Sequence, residues 1–299
     1  MPALLPRPTA IVLLILIACT FAANHVAARF AFDDGAGLLL AIVCRSGITL
    51  LILAGLLLWQ RPVVRLPTGK WRWQLLLGLF IAVQSLCLYS AVARIPVALA
   101  LLISNTFPIM LALLTWALGG PRPTRRASAI MGLILIGLVL VLDLPSRLTG
   151  MDNSDPRWWA GVGYAVVAAL VFASALWVTD HKLKALPGAV RSFYTILTVF
   201  GSMAIAGAAG AVPGGMGLPA SNAGWLGLGA LMVLYGGAFI TLFICLPRLN
   251  MAENAPVMNI EPVASLLLGW SLLGQTLEPI QMVGGAVVLS GIVWLAKGR

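Results

Sequence analysis

The chain consists of ten long hydrophobic runs separated by short polar segments. A helix needs about 20 apolar residues to cross about 30 Å of hydrocarbon. Because most of the runs reach that length and the loops between them are short, we predict an all-α membrane protein with ten transmembrane helices. The predicted spans lie near 10–31, 38–59, 72–93, 97–118, 128–144, 158–181, 188–210, 223–247, 254–274 and 279–297.

A pattern in the fourth run returns in the ninth run, 154 residues later. The first copy consists of Asn105, Pro108, Leu113, Leu114, Trp116, Leu118 and Gly120, and the second of Asn259, Pro262, Leu267, Leu268, Trp270, Leu272 and Gly274. A proline inside a helix removes a backbone hydrogen bond and kinks or breaks the helix. We therefore predict a hinge or kink at Pro108 and another at Pro262.

Each copy of the repeat contains five predicted spans, which is an odd number. The second copy must therefore enter the membrane upside down relative to the first. We predict two inverted five-helix repeats, residues 1–150 and 151–299, joined by a polar segment at 145–157. Inverted repeats with broken helices are a common design of secondary transporters, which alternate the opening of a cavity between the repeats.

Composition supports a membrane location and excludes a nucleic-acid partner. Hydrophobic residues make up 61% of the chain and charged residues 9%, against about 25% charged residues in soluble domains. Most of the 19 lysines and arginines behind the net charge of +10 fall in the loops that would be cytoplasmic. This asymmetry predicts both termini in the cytoplasm.

No cofactor is expected, because Cys19, Cys44, Cys87 and Cys245 fall singly within spans without the spacing of metal ligands. The residues before Cys19 imitate a leader peptide, but the apolar run continues past it. We expect this run to be the first membrane helix, uncleaved.

Polar residues inside spans are the first candidates for substrate binding, since they are costly in hydrocarbon and usually face the lumen of a bundle. Glu261 is the one acid deep in a span, and Asn254 and Ser265 share its helix face. It could bind a substrate ammonium group or a proton, and a structural role is equally open. In the fourth span Asn105 stands one turn before Pro108.

Arg45 lies about as deep as Glu261 but from the opposite side, so the sequence predicts no direct ion pair between them. The preferred interpretation of Arg45 is structural, with its head group reaching the outer interface, and the alternative is attraction of an anion. Asn24 and His25 lie near the outer end of the first span. A histidine there could titrate near neutral pH or form a helix-to-helix hydrogen bond.

Three deep aromatic residues, Tyr89, Trp177 and Tyr235, suggest a binding cavity with aromatic walls. Ser85 shares a helix face with Tyr89. Such walls would suit flat or amphipathic substrates through stacking and cation–π contacts. Ordinary packing is the alternative.

These motifs resemble the EamA repeat of the drug/metabolite transporter superfamily over the whole chain. The resemblance rests on the run at 91–100, the pattern from Asn105 to Gly120 and the segment Glu261-Pro262-Val263-Ala264, with Arg45 at a place where the family often has arginine. EamA repeats often end in Gly-Glu, whereas this chain has Gly120-Pro121 and Gly274-Gln275. Within the superfamily the chain is most similar to the YddG-type exporters of aromatic amino acids.

The resemblance implies a secondary transporter in a bacterial inner membrane, exporting amino acids or related amphipathic metabolites by alternating access. It also implies a cavity lined by the first, third, fourth, sixth, eighth and ninth spans. The expected partners are a small-molecule substrate, membrane lipid and, if transport is coupled, a proton, and a monomer is plausible. An intramembrane enzyme or a channel is disfavoured, because the chain has two histidines, one deep acid and no filter motif.

Overall fold

A computed structural model describes residues 5–60, 66, 69–120, 122, 125–141, 155–212, 214–245, 260–275 and 278–297. Within these residues the secondary structure is entirely helical. The helices are α1 (Arg7–Asp33), α2 (Leu38–Gln60), α3 (Trp71–Val92), α4 (Val97–Ser104), α5 (Phe107–Ala117), α6 (Arg125–Val141), α7 (Pro156–Lys182), α8 (Gly188–Ala208), α9 (Asn222–Cys245), α10 (Glu261–Leu273) and α11 (Pro279–Lys297).

Seven stretches of the described chain are long and apolar enough to cross a membrane. They are Pro8–Asp33, Leu38–Trp59, Trp71–Val92, Val97–Ala117, Pro156–Lys182, Gly188–Ala208 and Asn222–Phe239. The remaining predicted spans correspond to shorter apolar helices at Ser128–Gly137, Val263–Leu273 and Pro279–Gly291. The described helices thus follow the order of the predicted runs, while the start of the ninth run lies outside the described residues.

The fourth predicted span is two helices rather than one kinked helix. Helix α4 ends at Ser104 and α5 begins at Phe107, so the break falls at Asn105 and Thr106. Pro108 stands in the first turn of α5, as Pro262 does in α10, where a missing N–H costs no helical hydrogen bond. Helices α5 and α10 start 154 residues apart, at Phe107 and Glu261, which is the spacing of the sequence repeat.

The main helix pairs are unchanged when the two repeats are exchanged. Helices α1, α2 and α3 of the first repeat correspond to α7, α8 and α9 of the second, and α4 with α5 corresponds to α10. The pair α1–α9 therefore corresponds to α7–α3, and α2–α9 corresponds to α8–α3. In the same way, α1–α10 corresponds to the contacts of α7 with α4 and α5. The pairs α2–α8, α4–α10 and α6–α11 map onto themselves. This set of pairs is what a pseudo-two-fold relation between the repeats requires.

The same pairs divide the core into two bundles that mix helices of both repeats. The first bundle contains α1, α2, α9 and α10, and the second contains α3, α4, α5, α7 and α8. The pairs α2–α8 and α4–α10 join the two bundles. The two bundles therefore do not coincide with the two sequence repeats.

Small residues allow the close pairs α1–α9 and α3–α7. Alanines form the buried faces of the two equivalent helices, with Ala18, Ala22, Ala28 and Ala31 on α1 and Ala165, Ala168, Ala169, Ala173 and Ala175 on α7. In membranes, packing between helices depends on such close approach, because lipid supplies no hydrophobic drive to associate. On the outside, Leu226, Val233, Ile205 and Leu51 are exposed, which is a surface suited to hydrocarbon.

Backbone hydrogen bonds join two loops at one end of the molecule. The N–H of Gly37 donates to the carbonyl of Gly217 at 2.8 Å, and the N–H of Leu40 donates to the carbonyl of Gly215 at 2.9 Å. A Cβ atom at Gly37 would collide with the carbonyl oxygen of Gly215. The Asp34 carboxylate accepts a bond from the N–H of Ser221 at 2.7 Å, and this bond above all lowers the pKa of Asp34.

A corresponding contact lies at the other end of α8. Lys70 donates to the carbonyl of Lys182 at 2.8 Å, and Gln74 donates to Thr195 Oγ1 at 2.9 Å. Both ends of the described bundle are therefore held by contacts between the two repeats.

Candidate functional site

Buried and half-buried polar and aromatic side chains from five helices meet where the two bundles face each other. We call this set the central cluster. It consists of Asn24 and His25 on α1, Arg45 on α2, Ser85 and Tyr89 on α3, Tyr235 on α9 and Glu261 on α10. Its residues come from the first, third, eighth and ninth spans and also from the second span, which the sequence did not place at the expected cavity.

Arg45 is the hub of the cluster and is only 5% exposed. Its Nη1 donates to the Tyr89 hydroxyl at 3.0 Å and its Nη2 to Ser85 Oγ at 2.6 Å. Its Cζ lies 4.5 Å from the centroid of the Tyr89 ring and 4.3 Å from that of the Tyr235 ring. The prediction that this head group reaches the outer interface is therefore wrong, because hydroxyl groups and two aromatic faces hold it inside the protein.

The charge of Arg45 is compensated by neutral groups alone among the described residues. The two ion pairs of that part of the chain join His25 to Glu261 and Arg29 to Asp33. Nε of Arg45 is buried and has no hydrogen-bond partner within the described ranges. Cation–π contacts stabilise a desolvated guanidinium by about 2 kcal/mol, which is less than the cost of burying an unpaired charge.

Tyr89 links Arg45 to the residues of α1. Its side chain is fully buried, and its hydroxyl donates to Asn24 Oδ1 at 3.5 Å, a long bond. Its ring makes edge contacts with His25 and Phe32, with centroids 6.0 and 5.3 Å apart. The Nδ2 of Asn24 is also buried without a described partner.

His25 and Glu261 form the acidic end of the cluster. Their Nε2 and Oε1 atoms are 3.5 Å apart, so they form an ion pair when His25 is protonated. Glu261 is the first residue of α10, where the helix dipole stabilises a carboxylate. The Nδ1 of His25 is buried without a partner among the described residues.

The two ion pairs of the described residues do not join Glu261 to Arg45. His25 contacts both Glu261 and Tyr89, and Tyr89 contacts Arg45. The cluster therefore holds a cation and an anion at its two ends, with aromatic and amide groups between them.

Two predicted site residues have their described contacts elsewhere. Trp177 stacks on His181 with ring centroids 4.6 Å apart, near the end of α7. Asn105 follows α4, and its Nδ2 donates to the carbonyl of Leu101 at 2.8 Å. Asn254, which the sequence places on the face of Glu261, lies outside the described residues.

An apolar cavity of about 180 Å³ lies apart from the cluster, between α4, α10 and α11. Leu102, Leu266, Met282 and Leu289 are among its lining residues, with Gln281 as a polar group. It contains no charged group, so the candidate site remains the central cluster. Among the described residues, no group of three or more His, Cys, Asp or Glu side chains is placed to hold a metal ion.

Comparison with known proteins agrees with this architecture. A solved structure described only as "Crystal structure of protein" is 22% identical, covers 96% of both chains and superimposes with a TM-score of 0.56. At that identity it supports the fold alone. No curated protein matches the chain. The model of the EamA-like transporter family matches residues 8–143 and again 159–297. The chain therefore belongs to the EamA-like transporter family.

Proposed function

We propose that this transporter is a secondary carrier that works by alternating access, without ATP. In this proposal ten spans form two inverted repeats in a bacterial inner membrane, with both termini in the cytoplasm. The exchange symmetry of the helix pairs supports the repeat, and the excess of basic residues in alternate loops supports the orientation. The bundles that would rock against each other are the two defined above.

We propose amino acids, aromatic or neutral, and related amphipathic or cationic metabolites as the exported substrates. The observation behind this is a buried cluster with a cation at one end, Arg45, a carboxylate at the other, Glu261, and aromatic rings between them. A zwitterionic substrate with an apolar side chain complements these groups in charge and in surface. Tyr89 and Tyr235 supply aromatic surface beside Arg45, which would suit a flat side chain.

The location of the cluster supports alternation. Its residues come from both bundles, with Ser85 and Tyr89 on the second bundle and the others on the first. A substrate bound there would contact both moving parts, so its binding would bias their relative position.

Glu261 and His25 are the groups we propose for a coupling proton. Buried side chains of this kind relay protons in many pumps and transporters. Facilitated diffusion remains the alternative, in which the pair has a binding or structural role alone.

Uptake into proteoliposomes tests the function. The purified protein is reconstituted and challenged with radiolabelled phenylalanine, leucine, aromatic amines and sugars, with and without a pH gradient. We expect saturable uptake of amino acids and little uptake of sugars. Transport restricted to sugars or other metabolites would assign the protein another substrate class of the superfamily, and non-saturable flux would indicate a channel.

A further inference from the structure

We infer that Arg45 is a carboxylate-binding residue whose intramolecular partners, Ser85 and Tyr89, are displaced by the substrate carboxylate. The inference rests on the proposed transport of amino acids. It adds that the protein recognises the carboxylate of the substrate. It also gives that recognition a mechanical consequence, because the displaced bonds join the two bundles.

The first argument is the unbalanced charge. Arg45 is almost fully buried, and the acid of the cluster, Glu261, is paired with His25 instead. An arginine inside a membrane protein is costly unless an anion or several polar groups neutralise it. Among the described residues Arg45 has no acidic partner, and a substrate carboxylate would supply a charge of the right sign.

The second argument is the number of donors. A guanidinium has five N–H groups in a planar fork, and the described protein partners take one from Nη1 and one from Nη2. Nε lies buried without a hydrogen-bond partner in the part of the chain that the structure describes. A carboxylate accepts two parallel hydrogen bonds from such a fork, in charge-assisted bonds roughly twice as strong as neutral ones. It would therefore compete effectively with two neutral hydroxyl groups.

The third argument is the direction of the existing bonds. Arg45 belongs to α2 of the first bundle, whereas Ser85 and Tyr89 belong to α3 of the second. Both hydrogen bonds of the guanidinium therefore cross between the bundles. A carboxylate that binds Arg45 would break its hydrogen bonds to α3. Substrate binding would therefore weaken the contacts that hold the two bundles in the relative position seen in the structure.

A structural tie is the competing explanation, in which Arg45 holds α2 to α3 and never meets the substrate. The two explanations predict different effects of substitutions on the binding of three ligands that differ only in their charged groups. We choose phenylalanine, 2-phenylethylamine, which lacks the carboxylate, and 3-phenylpropionate, which lacks the ammonium group. Binding to the purified protein and uptake into proteoliposomes are measured separately for each.

We expect Arg45→Gln to weaken binding of phenylalanine and phenylpropionate on the order of 100-fold and to leave phenylethylamine nearly unchanged. Arg94→Gln is the matched control. Arg94 also donates to α3, through the carbonyl of Ser90 at 2.7 Å, and lies over an aromatic ring, that of Tyr164. The control should bind all three ligands as the parent does.

Ser85→Ala provides a second variant, which removes a competitor of the carboxylate and keeps the charge. We expect it to tighten binding of the two acids about tenfold, with no change for the amine. If Arg45 is only a structural tie, Ser85→Ala and Arg45→Gln should change the binding of all three ligands to the same extent. That outcome would overturn the inference.

The outcomes separate the inference from the proposed function. Binding of phenylpropionate that depends on Arg45, without any amino acid uptake, would refute the proposed function and leave the carboxylate site standing. If the parent takes up amino acids but Arg45→Gln reduces uptake of all ligands equally, the proposed function stands and the carboxylate site is refuted. A parent protein that neither binds nor transports any of the three would refute both.

Discussion

At the scale of single residues, the central cluster depends on side chains that the sequence identified but could not bring together. Polar and aromatic groups are unusual inside spans. This marks four residues as candidates for substrate binding: Asn24, His25, Tyr89 and Glu261. Their mutual contacts, such as the 3.5 Å between His25 and Glu261, depend on how the helices rotate and pack.

We predict that Glu261→Gln lowers transport and flattens its dependence on pH. The substitution keeps the shape of the side chain and removes the charge opposite His25. Uptake by proteoliposomes at a series of pH values measures the effect. Glu278→Gln is the control, because Glu278 is an exposed acid before α11. An unchanged profile in Glu261→Gln would assign this residue to structure and favour facilitated diffusion.

Tyr89→Ala and Trp177→Ala test the predicted aromatic walls. Tyr89 is fully buried and contacts Arg45 and His25, whereas Trp177 stacks on His181. We expect Tyr89→Ala to reduce uptake of aromatic substrates at least tenfold more than Trp177→Ala, at normal expression. Parent-like uptake in both variants would contradict an aromatic binding wall.

At the scale of helices, the prolines of the repeat mark where a new helical segment begins. The sequence predicted kinks at Pro108 and Pro262, and the structure has each proline in the first turn of a helix. The break in the fourth span falls earlier, at Asn105 and Thr106, whose side chains bond to the carbonyls of α4. Such local competition for backbone groups ends a helix, and its position depends on geometry that the repeat pattern does not contain.

We predict that Gly78→Ala destabilises the pair α3–α8 by about 1–3 kcal/mol, as overpacking of a core does. A Cβ at Gly78 would collide with the Cβ of Thr198, and neither backbone can move without shifting a helix. Thermal unfolding in detergent measures the loss. Gly201→Ala on α8 is the control, since its new Cβ would have no neighbour within 4 Å. Equal stability of the two variants would show that α3 and α8 lie further apart.

At the scale of the whole molecule, contacts between the repeats hold both ends of the core. The contact between residues 34–40 and 214–224 depends on Asp34, whose carboxylate accepts the N–H of Ser221 before α9. The pKa of Asp34 is lowered, first by that backbone bond and then by the Ser221 side chain. The carboxylate is therefore favoured in the folded protein.

The sign of the pH effect follows from this direction. A depressed folded pKa contributes stability that is present above the unfolded value, about 3.9, and is lost as the pH falls through the folded pKa. We predict that thermal stability measured from pH 6 to pH 3 falls less in Asp34→Asn than in the parent. Asp33→Asn is the control, because Asp33 forms an exposed pair with Arg29, and such pairs contribute little. Parallel curves for the parent and Asp34→Asn would refute the role of this bond.

The membrane class, the duplicated unit and the polar positions within the apolar spans can all be read from the amino-acid sequence. These properties depend on composition and spacing along one helix, which a single chain displays directly. The family match over residues 8–143 and 159–297 bears out the duplicated EamA relationship that the paired motifs implied.

Which of those polar groups meet depends on how the helices pack in three dimensions. Arg45 was expected at the outer interface, but the rotation of α2 against α3 and α9 turns it between Tyr89 and Tyr235. Trp177 was expected in the same site, but it packs at the end of α7. Periodicity assigns a residue to a face of its own helix, whereas the partner of that face is set by close packing between helices, which depends on small residues far away in the chain.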